Sequence, residues 1–154
     1  MAYEIEHKYL VKDNSYLELA HKSTKIVQGY ISRNKNATVR VRITDSEAYL
    51  TIKGISINNS RPEYEYPIPV ADAHEMVAKL CNNIVIDKTR HYVTYDNHLW
   101  EIDTFHGKLE GLIVAEIELT TNDQPYTLPP FIGENVTTNP LYYNSNLINL
   151  VKKK

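Results

Sequence analysis

Tyr3-Glu4-Ile5-Glu6-His7-Lys8-Tyr9-Leu10-Val11 decides how the rest of this 154-residue chain is read. It alternates with the period of a β-strand, in which successive side chains point to opposite faces. Tyr3, Ile5, His7 and Tyr9 share one face, and Glu4, Glu6 and Lys8 share the other. A half-exposed strand with its polar face in water accounts for that pattern without any function. A strand whose charged face lines an enclosed site, with acids toward a metal and a base toward an anion, accounts for it too. The other strands have to decide.

Outward from it the same period recurs. Residues 25–33 (KIVQGYISR), 37–43 (ATVRVRI) and 47–55 read as strands separated by Asn34-Lys35-Asn36 and Asp45-Ser46. Residues 61–68 (RPEYEYPI) are extended, and their two prolines place them at strand ends or an edge. Residues 84–95 and His98–Phe105 form a hairpin about Asp96-Asn97, and 112–119 (LIVAEIEL) make an eighth strand. A short helix is expected over 16–21, a firm one over Val70–Leu80 on the spacing of Val70, Ala73, Val77 and Leu80, and a closing one over 141–151. Strands in hairpin order without a βαβ rhythm predict a mainly β, α+β fold: an antiparallel barrel or strongly curved sheet within a single domain, residues 1–154.

The charges then segregate by strand. Arg40/Arg42, Lys53 and Lys88/Arg90 carry the positive sign; Glu63/Glu65, Glu101/Asp103 and Glu116/Glu118 carry the negative. Glu116 and Glu118 interrupt a strand whose other face is Ile113, Ala115, Ile117 and Leu119. Like charges two apart on a strand repel, and a surface shaped only for solubility mixes its signs. Acid strands facing base strands across the inside of a closed barrel explain the pattern, with apolar side chains turned outward under helices and loops. In such a tunnel Lys8, Arg40, Arg42, Lys53, Lys88 and Arg90 suit a run of phosphates. Glu4, Glu6, Glu63, Glu65, Asp103, Glu116 and Glu118 suit a hard cation such as Mg²⁺ or Mn²⁺.

Composition narrows the rest. Hydrophobic content of 42% and charged content of 23% are those of a globular chain, and a net charge of −2 gives no reason to expect a nucleic-acid or membrane-surface binder. Twelve tyrosines against two phenylalanines suit strands and sites where a hydroxyl meets a polar partner. Cys81 stands alone, as in a reducing compartment, and beside Val77, Ala78 and Leu80 it reads as a structural thiol. No apolar run nears the roughly 18 residues of a membrane span, and no apolar leader opens the chain, so the cytoplasm is the expected location. The Lys152-Lys153-Lys154 run reads as a solvated end, and a homodimer is compatible with the sequence. There is no P-loop, HExxH or paired-cysteine motif, and His7 falls on the face opposite Glu4 and Glu6.

Glu4-x-Glu6-x-Lys8 resembles the ExExK signature of the CYTH superfamily, the triphosphate tunnel metalloenzymes. The resemblance runs on through Gln28-Gly29-Tyr30, Val39 to Arg42, Thr51-x-Lys53, Glu63-x-Glu65, Lys88-x-Arg90, Asp103 and Glu116-x-Glu118, then through 131–137 and 143–147. Phe131 stands where that pattern has Trp, and Leu141 where Arg is common. The resemblance implies an eight-stranded antiparallel tunnel with a charged interior and a few flanking helices, which binds a small-molecule triphosphate with Mg²⁺ or Mn²⁺. Its short bacterial members resemble inorganic tripolyphosphatases or thiamine triphosphatases, and class IV adenylate cyclases share the superfamily. The expected reaction is hydrolysis of tripolyphosphate to pyrophosphate and phosphate. The alternatives are a cyclase forming cyclic AMP from ATP and a non-catalytic polyphosphate-binding module. Glu4, Glu6, Glu116 and Glu118 are expected at the metal with Asp103 in support, and Glu63 and Glu65 as supporting acids. Tyr30 and Lys53 would form a hydroxyl–ammonium pair that activates water, or Tyr30 would donate a hydrogen bond to phosphate.

Overall fold

The computed structural model describes residues 3–82 and 84–147. Nine strands follow the chain: β1 (Tyr3–Val11), β2 (Lys22–Ser32), β3 (Thr38–Ile43), β4 (Ala48–Lys53), β5 (Ser60–Ile68), β6 (Val85–Tyr95), β7 (His98–Phe105), β8 (Ile113–Glu118) and β9 (Ile132–Asn135). They pair antiparallel in the order β5-β4-β3-β2-β6-β7-β8-β1, and β5 returns to β1 to close an eight-stranded barrel. The ninth strand is an addition. Only Tyr3 to Ile5 of β1 meet β5, so the edge of β1 beyond them is free, and β9 takes it at Tyr9 and Val11. Four residues behind Pro129-Pro130 and broken by Gly133 carry too little alternation to announce a strand.

The turns follow their chemistry. Asp96 and Asn97 both have positive φ (50° and 64°), the backbone a two-residue hairpin loop needs to match strand twist. Asn58 and Asn59 do the same at 52° and 64°.

Outward faces are apolar and covered. α1 (Tyr16–Leu19) puts the buried Tyr16 over β6, in a cluster with Val93, Trp100, Ile102, Ala115, Ile117 and Phe131. α2 (Val70–Leu80) lies on β2, β3 and β4, packing Ala73 against Val41, Ile43 and Ala48. Leu80, expected in that stripe, is half exposed; Cys81, four residues after Val77, is fully buried in its stead. Gly29 makes room for that thiol, since a Cβ there would meet Cys81 Sγ at 2.6 Å. His7 also faces out, its Nδ1 2.8 Å from the Tyr126 hydroxyl.

One end of the barrel interior is apolar as well. Tyr30, Ile86, Phe105, Leu109 and Val114 enclose the fully buried Leu147. The expected helix over 141–151 is replaced, as far as residue 147, by two 3₁₀ turns, Pro140–Tyr142 and Asn144–Asn146. Pro140 cannot continue a helix from upstream, and the Asn139 side chain caps the first turn by accepting from the Leu141 amide. The Lys152-Lys153-Lys154 run lies outside the described residues. Among the described residues no helix is long and apolar enough to cross a membrane.

Candidate active site

Register brings the charged residues to one place. Opposite pairs across the ladders are Glu6 with Glu118, Lys8 with Glu116, Glu101 with Glu116, Arg90 with Asp103, Arg40 with Thr51, and Lys53 with Glu63. Partners across a ladder point to the same face, so all of them turn into the barrel. They surround a cavity of about 160 Å³ whose lining is wholly ionisable. Four cations line it (Arg40, Arg42, Lys53, Arg90), against seven carboxylates: Glu4, Glu6, Glu63, Glu65, Glu101, Glu116 and Glu118. Glu65 and Glu118 are exposed at the mouth, while Arg40, Lys53, Arg90 and Glu116 are buried.

The deep charges are paired. Lys53 Nζ donates to both oxygens of Glu4 at 2.9 Å and stands 3.4 Å from Glu63. Burial alone would raise Glu4, but Lys53, a hydrogen bond with Glu63 and the Arg61 guanidinium 3.7 Å away outweigh it and hold the carboxyl below its ordinary range. Thr51 accepts from Arg40 Nη2 and donates to Glu65 at 2.8 Å, linking base and acid across β4. Glu6 behaves oppositely to Glu4: burial first, then Glu116 and Glu4, push it well above the carboxylate range. Burial would raise Glu116 too, but Lys8, the hydrogen bond from Glu6 and Arg90 hold it low. Burial chiefly also lifts Glu63, Glu101 and Glu118. Arg42 is lowered to about 10 by burial and by Arg40 and Arg90.

Four expected residues are placed differently: Asp103, Lys88, Tyr30 and Lys8. Asp103 does not line the cavity, since both of its oxygens are taken. Arg90 Nε and Nη2 donate to them at 2.8 and 2.9 Å, and Lys88 Nζ donates at 2.8 Å. Asp103 was expected in support of the metal; here Arg90 and Lys88 take three of the roughly four lone-pair sites of its carboxylate. Lys88, fully buried behind the lining, is lowered to about 7 by burial, which the nearby Asp103 only partly offsets. Tyr30 belongs to the apolar end, and Lys53 is engaged by Glu4 and Glu63, so the expected Tyr30–Lys53 pair is not formed. β3 stands between their strands. Lys8 lies beside the cavity with Nζ donating to the Tyr142 carbonyl at 2.8 Å.

Glu101, read with Asp103 as a negative pair on one strand face but left out of the acids expected to suit the cation, lines the cavity. Gln28 was missed for want of charge. It is fully buried on the inner face opposite Arg42, and neither of its amide atoms has a hydrogen-bond partner among the described residues.

Comparison with known proteins converges on one family. The CYTH domain profile matches residues 2–147. The inorganic triphosphatase of Acetivibrio thermocellus is 45% identical over 148 residues, covering 96% of this chain and 94% of that protein. The inorganic triphosphatase of Nitrosomonas europaea is 33% identical, covering 94% and 95%. A crystal structure of an inorganic triphosphatase superposes with a TM-score of 0.67 at 28% identity, covering 94% of this chain and 96% of that one. With that profile spanning residues 2–147 and two relatives aligned over nearly their full lengths, this chain belongs to the CYTH domain family.

Proposed function

We propose that this chain is a metal-dependent triphosphate phosphohydrolase that cleaves inorganic tripolyphosphate to pyrophosphate and phosphate. The observation that carries the reading is the wholly ionisable cavity, with guanidinium groups buried inside and carboxylates in excess. An anion site alone has no use for seven acids; an anion that arrives with cations has. The activity named for the two relatives, aligned over nearly their full lengths, supports it.

The donor set fits a divalent cation. Burial and the neighbouring Glu116 and Glu4 carboxylates disfavour charge on Glu6, a crowding of acids that a cation would relieve. Among the described residues no three side chains stand as a ready ligand group. Mg²⁺ is usually held by one or two carboxylates, with water and substrate phosphate supplying the rest. Glu6 and Glu116 would hold Mg²⁺ or Mn²⁺, with Glu4 and Glu118 on either side. Bound there, the ion supplies Lewis acidity to a phosphoryl oxygen and to the attacking water.

The chain's own part is positioning and charge. Phosphoryl transfer leaves a protein little covalent work, so catalysis is mostly electrostatic. Arg40, Arg42 and Arg90 grip equatorial and leaving-group oxygens in the buried interior. Lys53, held between Glu4 and Glu63, presents its ammonium to the same space. The acids at the mouth repel bare polyphosphate and admit its metal complex. A cyclase acting on ATP needs an apolar surface for adenine, and among the described residues no tyrosine or other uncharged side chain lines this cavity. The fully buried thiol of Cys81 suits a reducing compartment, the cytoplasm.

The test is phosphate release from tripolyphosphate with Mg²⁺ or Mn²⁺ at neutral to alkaline pH, beside product analysis with ATP. Stoichiometric pyrophosphate and phosphate are expected. Absence of release with both metals, or cyclic AMP from ATP, overturns the reading.

A further inference from the structure

Asp103 is nearly inaccessible, at 1% exposure, yet it sits directly across from Arg90, which lines the cavity. It takes Arg90 side-on through Nε and Nη2, with Lys88 Nζ closing on the same Oδ2. A guanidinium has five N–H donors in a rigid fork. With two spent on Asp103, three are left, on Nη1 and the outer edge of Nη2. Those nitrogens stand 3.4 Å from Glu101 and 3.8 Å from Glu116, at the wall of the cavity.

We propose that Asp103 is a positioning residue for substrate, not a metal ligand: it locks the Arg90 guanidinium edge-on so that the three remaining donors face the scissile phosphate chain. The inference rests on the triphosphatase reading. It follows from a carboxylate held on both oxygens and almost wholly buried: Oδ2 accepts from Arg90 and Lys88, Oδ1 accepts from Arg90, and the group is fixed against the guanidinium fork behind the cavity lining. Lys88 completes the lock. Placed behind the lining, its Nζ donates to Oδ2 without entering the cavity and fixes the carboxylate from the side away from substrate.

The two roles separate by measurement. Asp103→Asn keeps the shape but turns one acceptor into a donor facing the Arg90 fork. A positioning role predicts a rise of about 10- to 100-fold in KM for metal–tripolyphosphate, with a smaller change in kcat, because the lost grip acts in ground and transition states alike. Mn²⁺ binding without substrate, read as free Mn²⁺ by electron paramagnetic resonance, should move less than about twofold. In an Arg90→Met background, Asp103→Asn should change KM by less than about twofold, since the guanidinium it positions is gone. A Mn²⁺ dissociation constant that rises tenfold, or KM effects that simply multiply in the double variant, overturns the proposal. If Asp103→Asn does not fold, Arg90→Lys decides: it keeps the charge and loses the fork, and a wild-type KM sinks the idea. Should wild-type protein release no phosphate, the proposed reaction fails by itself, and calorimetric binding of Mg²⁺–tripolyphosphate to these variants still tests the positioning.

Discussion

Replacing Lys53 by methionine removes the one ammonium within 3.4 Å of both Glu4 and Glu63, and leaves a similar apolar stem. Breaking a buried ion pair from one side costs about 3–5 kcal/mol, because the orphaned charge stays behind. Glu63 is a quarter exposed, so the lower figure applies, and a loss of about 3 kcal/mol is expected at pH 8. The loss should depend on pH in a definite direction. In the wild type Glu4 lies below its ordinary value, so its stabilisation is present above the unfolded carboxyl pKa and fades as pH falls through the folded one. Without Lys53, burial dominates and Glu4 joins Glu63 above the ordinary range. Ionising them at pH 8 then works against folding, and the penalty vanishes once both are protonated. Near pH 4.5 the gap between wild type and variant should shrink to about 1 kcal/mol, the worth of the lost hydrogen bonds. Urea unfolding followed by Trp100 fluorescence at the two pH values measures both gaps. A gap that is equal at pH 8 and pH 4.5 would refute the claim that Lys53 serves to hold these carboxylates ionised.

Two further substitutions test the packing around the site. Gly29→Ala should cost about 1–3 kcal/mol by over-packing against Cys81, and Gly29→Ala with Cys81→Gly should recover most of it; thermal melts of both decide. Gln28→Met should stabilise the protein by about 1–2 kcal/mol, seen as a higher urea midpoint, because it replaces a buried amide without a hydrogen-bond partner among the described residues by an apolar side chain of like volume. A lower midpoint would mean that the amide is satisfied after all.

The barrel was legible because polar and apolar residues alternate along most of the strands, and because the charges two apart in Arg40/Arg42, Lys88/Arg90, Glu63/Glu65, Glu101/Asp103 and Glu116/Glu118 share one sign within each pair. The helix over Val70–Leu80 was read to the residue, since its stripe and its length both stand clear. What escaped depended on the third dimension. β9 exists because β1 has a free edge, a fact of closure that four residues cannot encode locally. The helix read over 141–151 came from apolar content alone, but its buried Leu147 answers to the tunnel's apolar end, not to a helix face. Within the site, the sign of each wall was readable and the pairing was not. Asp103 and Glu101 look alike in sequence; strand register hands one to Arg90 and leaves the other in the cavity. Tyr30 and Lys53 both point inward, yet β3 separates their strands.

The seam at β1 also sets the order in which the molecule can be made. Every strand that β1 touches comes much later: β5 begins at Ser60, β8 at Ile113 and β9 at Ile132. A growing chain that has reached residue 110 holds β2 to β7 as an open sheet, its charged concave face bathed in solvent and its like charges screened. Glu4 already has Lys53 and Arg61 to meet, but Glu6 and Lys8 wait at the other end of the chain until Glu118 and Glu116 emerge on β8. Closure is therefore a single long-range event that brings the most acidic wall against the rest, and such non-local pairings are the slow ones. Folding should be limited by that last zip, and divalent cations, by neutralising the carboxylates it forces together, should hasten it.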